Sequence, residues 1–181
     1  YNLVSVTDGN GCTTTAIGSV IITVNQWPTV SLSGNATICV GQNSDLDFIL
    51  GGGIPPFTVE YNVNGTLNSQ IFPSAGSNLL NVSPSVTTTY TLVSITDGNG
   101  ILETNVIGSA TITVHPLPTA VISGDTSICD GAQTPLNFTL TGAANYNLVY
   151  NPGGVAITLD ASGNDASTGN PLMVNPNVTT V

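Results

Sequence analysis

The chain has 181 residues, ten acidic side chains and neither Lys nor Arg, for a formal net charge of −10 at pH 7. Phosphate-backbone binding rests on Lys and Arg and anionic lipid surfaces recruit basic clusters, so nucleic acid and charged membrane surfaces are excluded as partners. At 40% hydrophobic residues the chain is too apolar for disorder, and its apolar runs, cut by Thr, Ser, Gly and Asn, fall short of the roughly 20 residues of a spanning helix.

In chain order, the pattern is β throughout. A strand is expected near residues 1–7, a turn at Asp8-Gly9-Asn10-Gly11, and a second strand over 16–24, where Val20, Ile22 and Val24 alternate. Asn25-Gln26-Trp27-Pro28 reads as a short linker stiffened by proline. Leu46, Phe48 and Leu50 then alternate with Asp45, Asp47 and Ile49, the mark of a half-buried strand. Gly51-Gly52-Gly53 precedes Pro55-Pro56 and lacks the Lys of a phosphate loop, so it reads as a bend. Strands follow near 90–96 and 105–114, joined by Asp97-Gly98-Asn99-Gly100. A second linker, His115-Pro116-Leu117-Pro118, leads to Leu136, Phe138 and Leu140, which alternate again. No stretch shows helical period.

The chain repeats itself. Tyr1-Asn2-Leu3-Val4-Ser5-Val6-Thr7-Asp8-Gly9-Asn10-Gly11 returns as Tyr90-Thr91-Leu92-Val93-Ser94-Ile95-Thr96-Asp97-Gly98-Asn99-Gly100, an offset of 89 residues. Gly18-Ser19 and Ile22-Thr23-Val24 return as Gly108-Ser109 and Ile112-Thr113-Val114, and Ile38-Cys39 returns as Ile128-Cys129. The closing Pro176-Asn177-Val178-Thr179-Thr180 matches Pro84-Ser85-Val86-Thr87-Thr88. A period this long exceeds a solenoid repeat and suits a small β-sandwich. The linkers, not the tyrosines, set the domain register. Residues 1–25 are the last two strands of one truncated domain, 26–115 a complete sandwich, and 116–181 the first strands of a third, truncated one. On that register the chain is expected either to continue in a longer series or to have residues 1–25 of one copy complete 117–181 of another. No basic leader opens the chain, so any targeting segment is expected upstream.

No pattern of chemistry emerges from the polar residues. His115 is the single histidine and has no second ligand or nucleophile in sequence; Glu60 and Glu103 lack matching neighbours for paired carboxylate catalysis. No enzyme and no catalytic residue is expected. Calcium wants six to eight oxygens. Its weak candidates are Asp45 and Asp47 on one strand face and Asp8 and Asp97 in the turns, but no dense acidic loop is present, so no cofactor is expected. Phe57, Tyr61, Tyr146 and Tyr150 alternate on matching strands and offer a sugar platform as the alternative to core packing. Missing Lys and Arg leave trypsin-type proteases no site, which suits an extracellular chain. Edge strands without the usual protective Lys are expected to bundle once acid neutralises the carboxylates.

The motifs Tyr-x-Leu-Val-Ser-[Val/Ile]-Thr-Asp-Gly-Asn-Gly, Gly-Ser-x-x-Ile-Thr-Val, Pro-Thr-[Val/Ala] and Ile-Cys-x-Gly resemble the Ig-like and PKD-like repeats of giant cell-surface adhesins of Bacteroidetes, secreted by the type IX system and including gliding-motility adhesins. The resemblance implies an all-β chain of tandem Ig-like β-sandwich domains in a head-to-tail array at the cell surface. It implies a stalk or filament module whose partners are neighbouring repeats of the same chain or identical chains head to tail, and possible surface glycans. The alternatives are a self-assembling fibre subunit completed by neighbouring strands, or a carbohydrate-binding module. In such repeats the Ile-Cys and Asn-Gly-Cys cysteines bridge. Cys39 would meet Ile101 and so stays a free thiol, whereas Cys12 and Cys129 look to partners outside this stretch. Trp27, Pro28, Pro116, Leu117 and Pro118 would line the interdomain linkers.

Overall fold

A computed structural model describes residues 1–149, 156–166 and 171–174. Every regular element among the described residues is a β-strand: β1 (Ser5–Thr7), β2 (Thr13–Thr15), β3 (Thr29–Ser33), β4 (Ala36–Cys39), β5 (Ser44–Gly51), β6 (Phe57–Val63), β7 (Thr66–Phe72), β8 (Gly76–Val82), β9 (Thr88–Thr96), β10 (Leu102–Glu103), β11 (Ser109–His115), β12 (Thr119–Ser123), β13 (Thr134–Thr141), β14 (Tyr146–Val149), β15 (Ala156–Leu159) and β16 (Leu172–Val174). The chain divides into two compact units, Tyr1–Thr37 with Asn43–Thr113, and Ile38–Gln42 with Val114–Val181.

In the first unit one sheet has the order β3-β5-β8, and a second runs β4-β11-β9-β6-β7 with β10 added to β9. The alternation in β5 sends Leu46, Phe48 and Leu50 inward, and all three are buried. The second sheet answers with Phe57, Val59, Tyr61, Phe72, Tyr90, Leu92, Ile95, Ala110 and Ile112. Phe48 joins the two sheets: its ring lies 5.1 Å from Phe72 and 5.6 Å from Tyr61, and Tyr61 in turn lies 6.4 Å from Tyr90. Tilted ring pairs at such spacings add to the burial of large apolar side chains. This is a β-sandwich, as the alternation predicts.

Strict alternation fails in one strand. The register of β6 against β9 shifts between Glu60 and Tyr61, which face Ser94 and Leu92 and leave Val93 as an extra residue. A bulge of this kind changes the phase of the strand. Leu92 and Ile95, three residues apart, therefore both face the core. Ser94, on the opposite face, donates its hydroxyl to Glu60 Oε2 at 2.8 Å.

The second unit repeats the first. Thr29↔Gly51 through Ser33↔Asp47 in the β3–β5 ladder become Thr119↔Thr141 through Ser123↔Asn137 in β12–β13, every pair displaced by 90 residues. Leu46↔Leu80 has its counterpart in Leu136↔Leu172 between β13 and β16. Strands β14 and β15 form a two-stranded antiparallel sheet where the first unit has β6 and β7.

The first 24 residues fold as a hairpin, although not with the strands expected. The first strand is confined to Ser5–Thr7, and its partner is Thr13–Thr15 and not 16–24. Beyond Thr15 the pairing continues through an isolated Asn2↔Ser19 bridge and the bonds Leu3 N–H to Gly18 O (2.8 Å) and Val20 N–H to Tyr1 O (2.8 Å). Residues 21–28 add no strand. In the repeat, β11 begins at Ser109, not 105, and lies between β9 and β4. A strand paired on both sides gains ladder bonds that one-sided pairing cannot supply, which is why the same residues form a full strand only in the later copy.

Candidate functional site

Two features concentrate the chain's sequence motifs: the aspartate turns and the hairpin that carries the first of them. In the second turn Asp97 Oδ1 accepts the backbone N–H groups of Asn99 (3.0 Å) and Ile101 (2.9 Å), while Oδ2 accepts that of Ile54 (3.0 Å). Gly98 donates its N–H to Ile54 O at 2.6 Å, so the turn is tied to the 51–56 bend from both directions. A Cβ on Gly98 would lie 2.6 Å from Pro55 O, and one on Gly53 (φ 48°) would lie 2.9 Å from Asp97 Cβ. Both positions therefore need glycine. Partial burial pushes the Asp97 carboxyl upward, but the three N–H donors outweigh it and hold the group below the ordinary carboxylate range.

Asp8 builds the same turn, with Oδ1 accepting from Asn10 N–H (3.0 Å) and Cys12 N–H (2.9 Å). The left-handed residue is the last glycine of the motif in each copy, Gly11 (φ 84°) and Gly100 (φ 80°). A third turn of this geometry, at Asp160, takes Ser162 N–H (2.8 Å) and Asn164 N–H (3.0 Å) on Oδ1 and has Gly163 at φ 80°. Sequence reading missed it because the intervening residues are Ala161 and Ser162. The shared signal is Asp followed three residues later by Gly.

The weak calcium candidates are not brought together. Asp45 Oδ1 accepts from Asn81 Nδ2 (2.6 Å) and Asp47 Oδ1 from Ser77 Oγ (2.7 Å), forming a polar ladder across β5 and β8. Asp8 and Asp97 cap separate turns. Among the described residues no three His, Cys, Asp or Glu side chains converge on one point. The sugar platform is also not formed: Phe57 and Tyr61 are core residues, Tyr146 is half-buried with its hydroxyl donating to Gly142 O (2.9 Å), and Tyr150 lies outside the described residues. A shallow trough on the first unit is lined by Asn35, Ala36, Thr37, Ser109, Thr111 and Thr113, and so offers hydroxyls but no carboxylate, imidazole or thiol.

Cys12, Cys39 and Cys129 are all exposed free thiols. Of the linker residues, Pro28 is fully buried inside the first unit, Trp27 is exposed, and Pro116, Leu117 and Pro118 are exposed. Pro28 packs beside Gly53, and Pro118 stands beside Gly142 in the second unit, so this contact too is repeated.

The hairpin face separates the two copies. Tyr90, Leu92, Ile95, Ala110 and Ile112 are 5%, 6%, 0%, 1% and 0% exposed, whereas their equivalents Tyr1, Leu3, Val6, Val20 and Ile22 are 84%, 64%, 57%, 57% and 65% exposed. The same side chains that form one wall of a core in one copy face solvent in the other.

No protein-family model matches the chain, and no curated protein matches it. Solved structures are similar in fold. The chain is 20% identical to a Ca2+-stabilised adhesin from an Antarctic bacterium that binds ice, with a TM-score of 0.41 over 88% of this chain and 45% of that one. It is 20% identical to the CARDB domain of a Pyrococcus furiosus protein solved with di-metal ions, with a TM-score of 0.34 over 54% of this chain and 99% of that one. It is 13% identical to fibronectin(III)-like modules of Clostridium thermocellum CbhA, with a TM-score of 0.32 over 82% of this chain and 79% of that one. No helix among the described residues is long and apolar enough to cross a membrane.

Proposed function

We propose that this chain is a stretch of structural repeats from the stalk or filament of a large extracellular adhesin, acting by repetition and rigidity without catalysis. The observation that carries this reading is the duplicated ladder, in which β3–β5 and β12–β13 keep the same register 90 residues apart. Duplicated sheets joined by proline-bearing connections suit a protein that spans distance. The polar trough of hydroxyls and the separated carboxylates suit a surface without a reaction centre. The functional repeat is residues 26–115, with 1–25 belonging to the preceding domain and 116–181 to the following one. In the array, Cys12 and Cys129 would bridge to cysteines of repeats beyond this stretch, and Cys39 would remain a thiol. The motif resemblance points to a type IX-secreted gliding adhesin of Bacteroidetes as the parent protein.

Residues 26–115 expressed alone test the reading. A cooperative two-state melt is expected, because both sheets and the Phe48–Phe72–Tyr61 cluster lie within that span. A chain without dispersed amide resonances or a melting transition would refute the repeat boundaries and the module with them.

A further inference from the structure

We propose that the exposed hairpin of residues 1–24 is a donor element that docks onto the second unit of another copy of this chain, along the edge of β14 away from β15, which is unpaired among the described residues, and over the inner face of β12 and β13. The proposal rests on the repeat-module reading, in which residues 1–25 close one domain and 116–181 open another, and it names a second copy of this chain as the partner that joins the two.

The donor half is defined by its twin. Thr7↔Thr13 and Val6↔Thr14 in the hairpin correspond to Thr96↔Leu102 and Ile95↔Glu103 in the first unit, pair for pair. Leu3 N–H to Gly18 O (2.8 Å) corresponds to Leu92 N–H to Gly108 O (2.9 Å). Through Val20 the hairpin is thus already folded in the shape that β9, β10 and the start of β11 adopt when packed. Its apolar face meets solvent, and an apolar surface of that kind marks an association site.

The receiving half shows the complementary deficit. Leu46, Phe48 and Leu50 are buried in the first unit, yet their equivalents Leu136, Phe138 and Leu140 are only half-buried. Leu32 is 8% exposed and its equivalent Ile122 is 55% exposed. Strand β6 pairs with β7 on one edge and β9 on the other, whereas among the described residues β14 pairs with β15 alone. One half lacks a wall, and the other is that wall.

The first unit supplies the register of the docked state. Thr58↔Thr96, Val59↔Ile95 and Glu60↔Ser94 become Asn147, Leu148 and Val149 of one copy opposite Thr7, Val6 and Ser5 of the other. Thr111 N–H donates to Asn35 Oδ1 at 2.7 Å, and the corresponding pair is Ile21 N–H with the carboxylate of Asp125. Asp8 Oδ2 would take the N–H of Ala143 as Asp97 Oδ2 takes that of Ile54. A strand added to an open edge gains both ladder bonds and side-chain burial.

Light scattering on the 181-residue chain across a concentration series tests the proposal. The weight-average mass should climb from 18.3 kDa toward dimers and longer head-to-tail species. Val6→Asp should weaken association roughly a hundredfold, since it would bury an unpaired charge at the site equivalent to Ile95. Ile17→Asp should leave association unchanged, because Ile17 is 98% exposed and its equivalent Ile107 is 89% exposed within the complete unit. In a Cys12→Ser, Cys39→Ser, Cys129→Ser background, Val6→Cys with Leu148→Cys should give an oxidised ladder of linked chains. A chain that stays monomeric, association indifferent to Val6→Asp, or a cysteine pair that closes within one chain would overturn the docking. If residues 26–115 still fold alone, the repeat-module reading survives that failure; if they do not, both fall.

Discussion

Asp8 and Asp97 stand at the same place in the same turn sequence, and both cap two backbone N–H groups on Oδ1. Asp97 alone adds a bond to a distant residue, Ile54. Its carboxyl is held below the ordinary range, so it is the charged form that the fold favours. That contribution is complete above the carboxyl's unfolded pKa and is lost as pH falls through the lower folded value. Asp97→Asn should lower the thermal midpoint at pH 7 and flatten its fall on acidification below about pH 4, a pair of melts at pH 7 and 3 being sufficient to see it. The glycines next to these aspartates make a matched control. Gly98→Ala is expected to destabilise the first unit by about 1–3 kcal/mol, because the new Cβ meets the Pro55 carbonyl. Gly9→Ala should change stability by less than about 0.5 kcal/mol, since nothing lies within 4 Å of that position. Denaturant titrations of both variants check the contrast.

At the scale of elements, the strands β5 and β13 were legible from alternation because each carries its apolar side chains on one face. The hairpin elements were less so. Residues 16–24 carry the same alternating apolar residues as 110–114, yet only the latter form a long strand, since a strand's length depends on what pairs with it. The bulge at Val93 was also hidden, because an extra residue leaves no mark in composition and shows only in the register against β6. Burial rather than pattern sets the energetic weight of equivalent positions. Phe48→Ala should cost about 3–5 kcal/mol by emptying a site between two sheets, whereas Phe138→Ala, half-buried in the isolated chain, should cost less. Chemical denaturation of each variant, followed by amide signals from its own unit, would separate the two.

For the whole molecule, charge is the governing property. With ten carboxylates and no Lys or Arg, acidification removes negative charge and leaves only His115 and the α-amino group as positive groups, so repulsion between copies collapses with little positive charge to replace it. Turbidity is expected to rise as pH drops from 7 to 3, reflecting lateral bundling of unprotected edges; a flat trace across that range would contradict it. The separation of Asp8, Asp45, Asp47 and Asp97 into local hydrogen bonds leads to a second expectation. Adding a chelator should leave the melting midpoint of the full chain unchanged, and a drop of several degrees would reveal a calcium site.

The sequence by itself determined the all-β class, the repeat, the positions of the turns at Asp8 and Asp97 and the identity of the main core strands, because these follow from local periodicity and turn chemistry. Only the tertiary structure decided that Phe57 and Tyr61 lie in the core, that Pro28 is buried, and that Asp97 reaches Ile54. It also decided that one copy of the hairpin is covered and the other is bare. The two copies have nearly the same residues, so no local rule distinguishes them; burial is a relation between segments far apart in the chain, and it exists only where the opposing sheet is present.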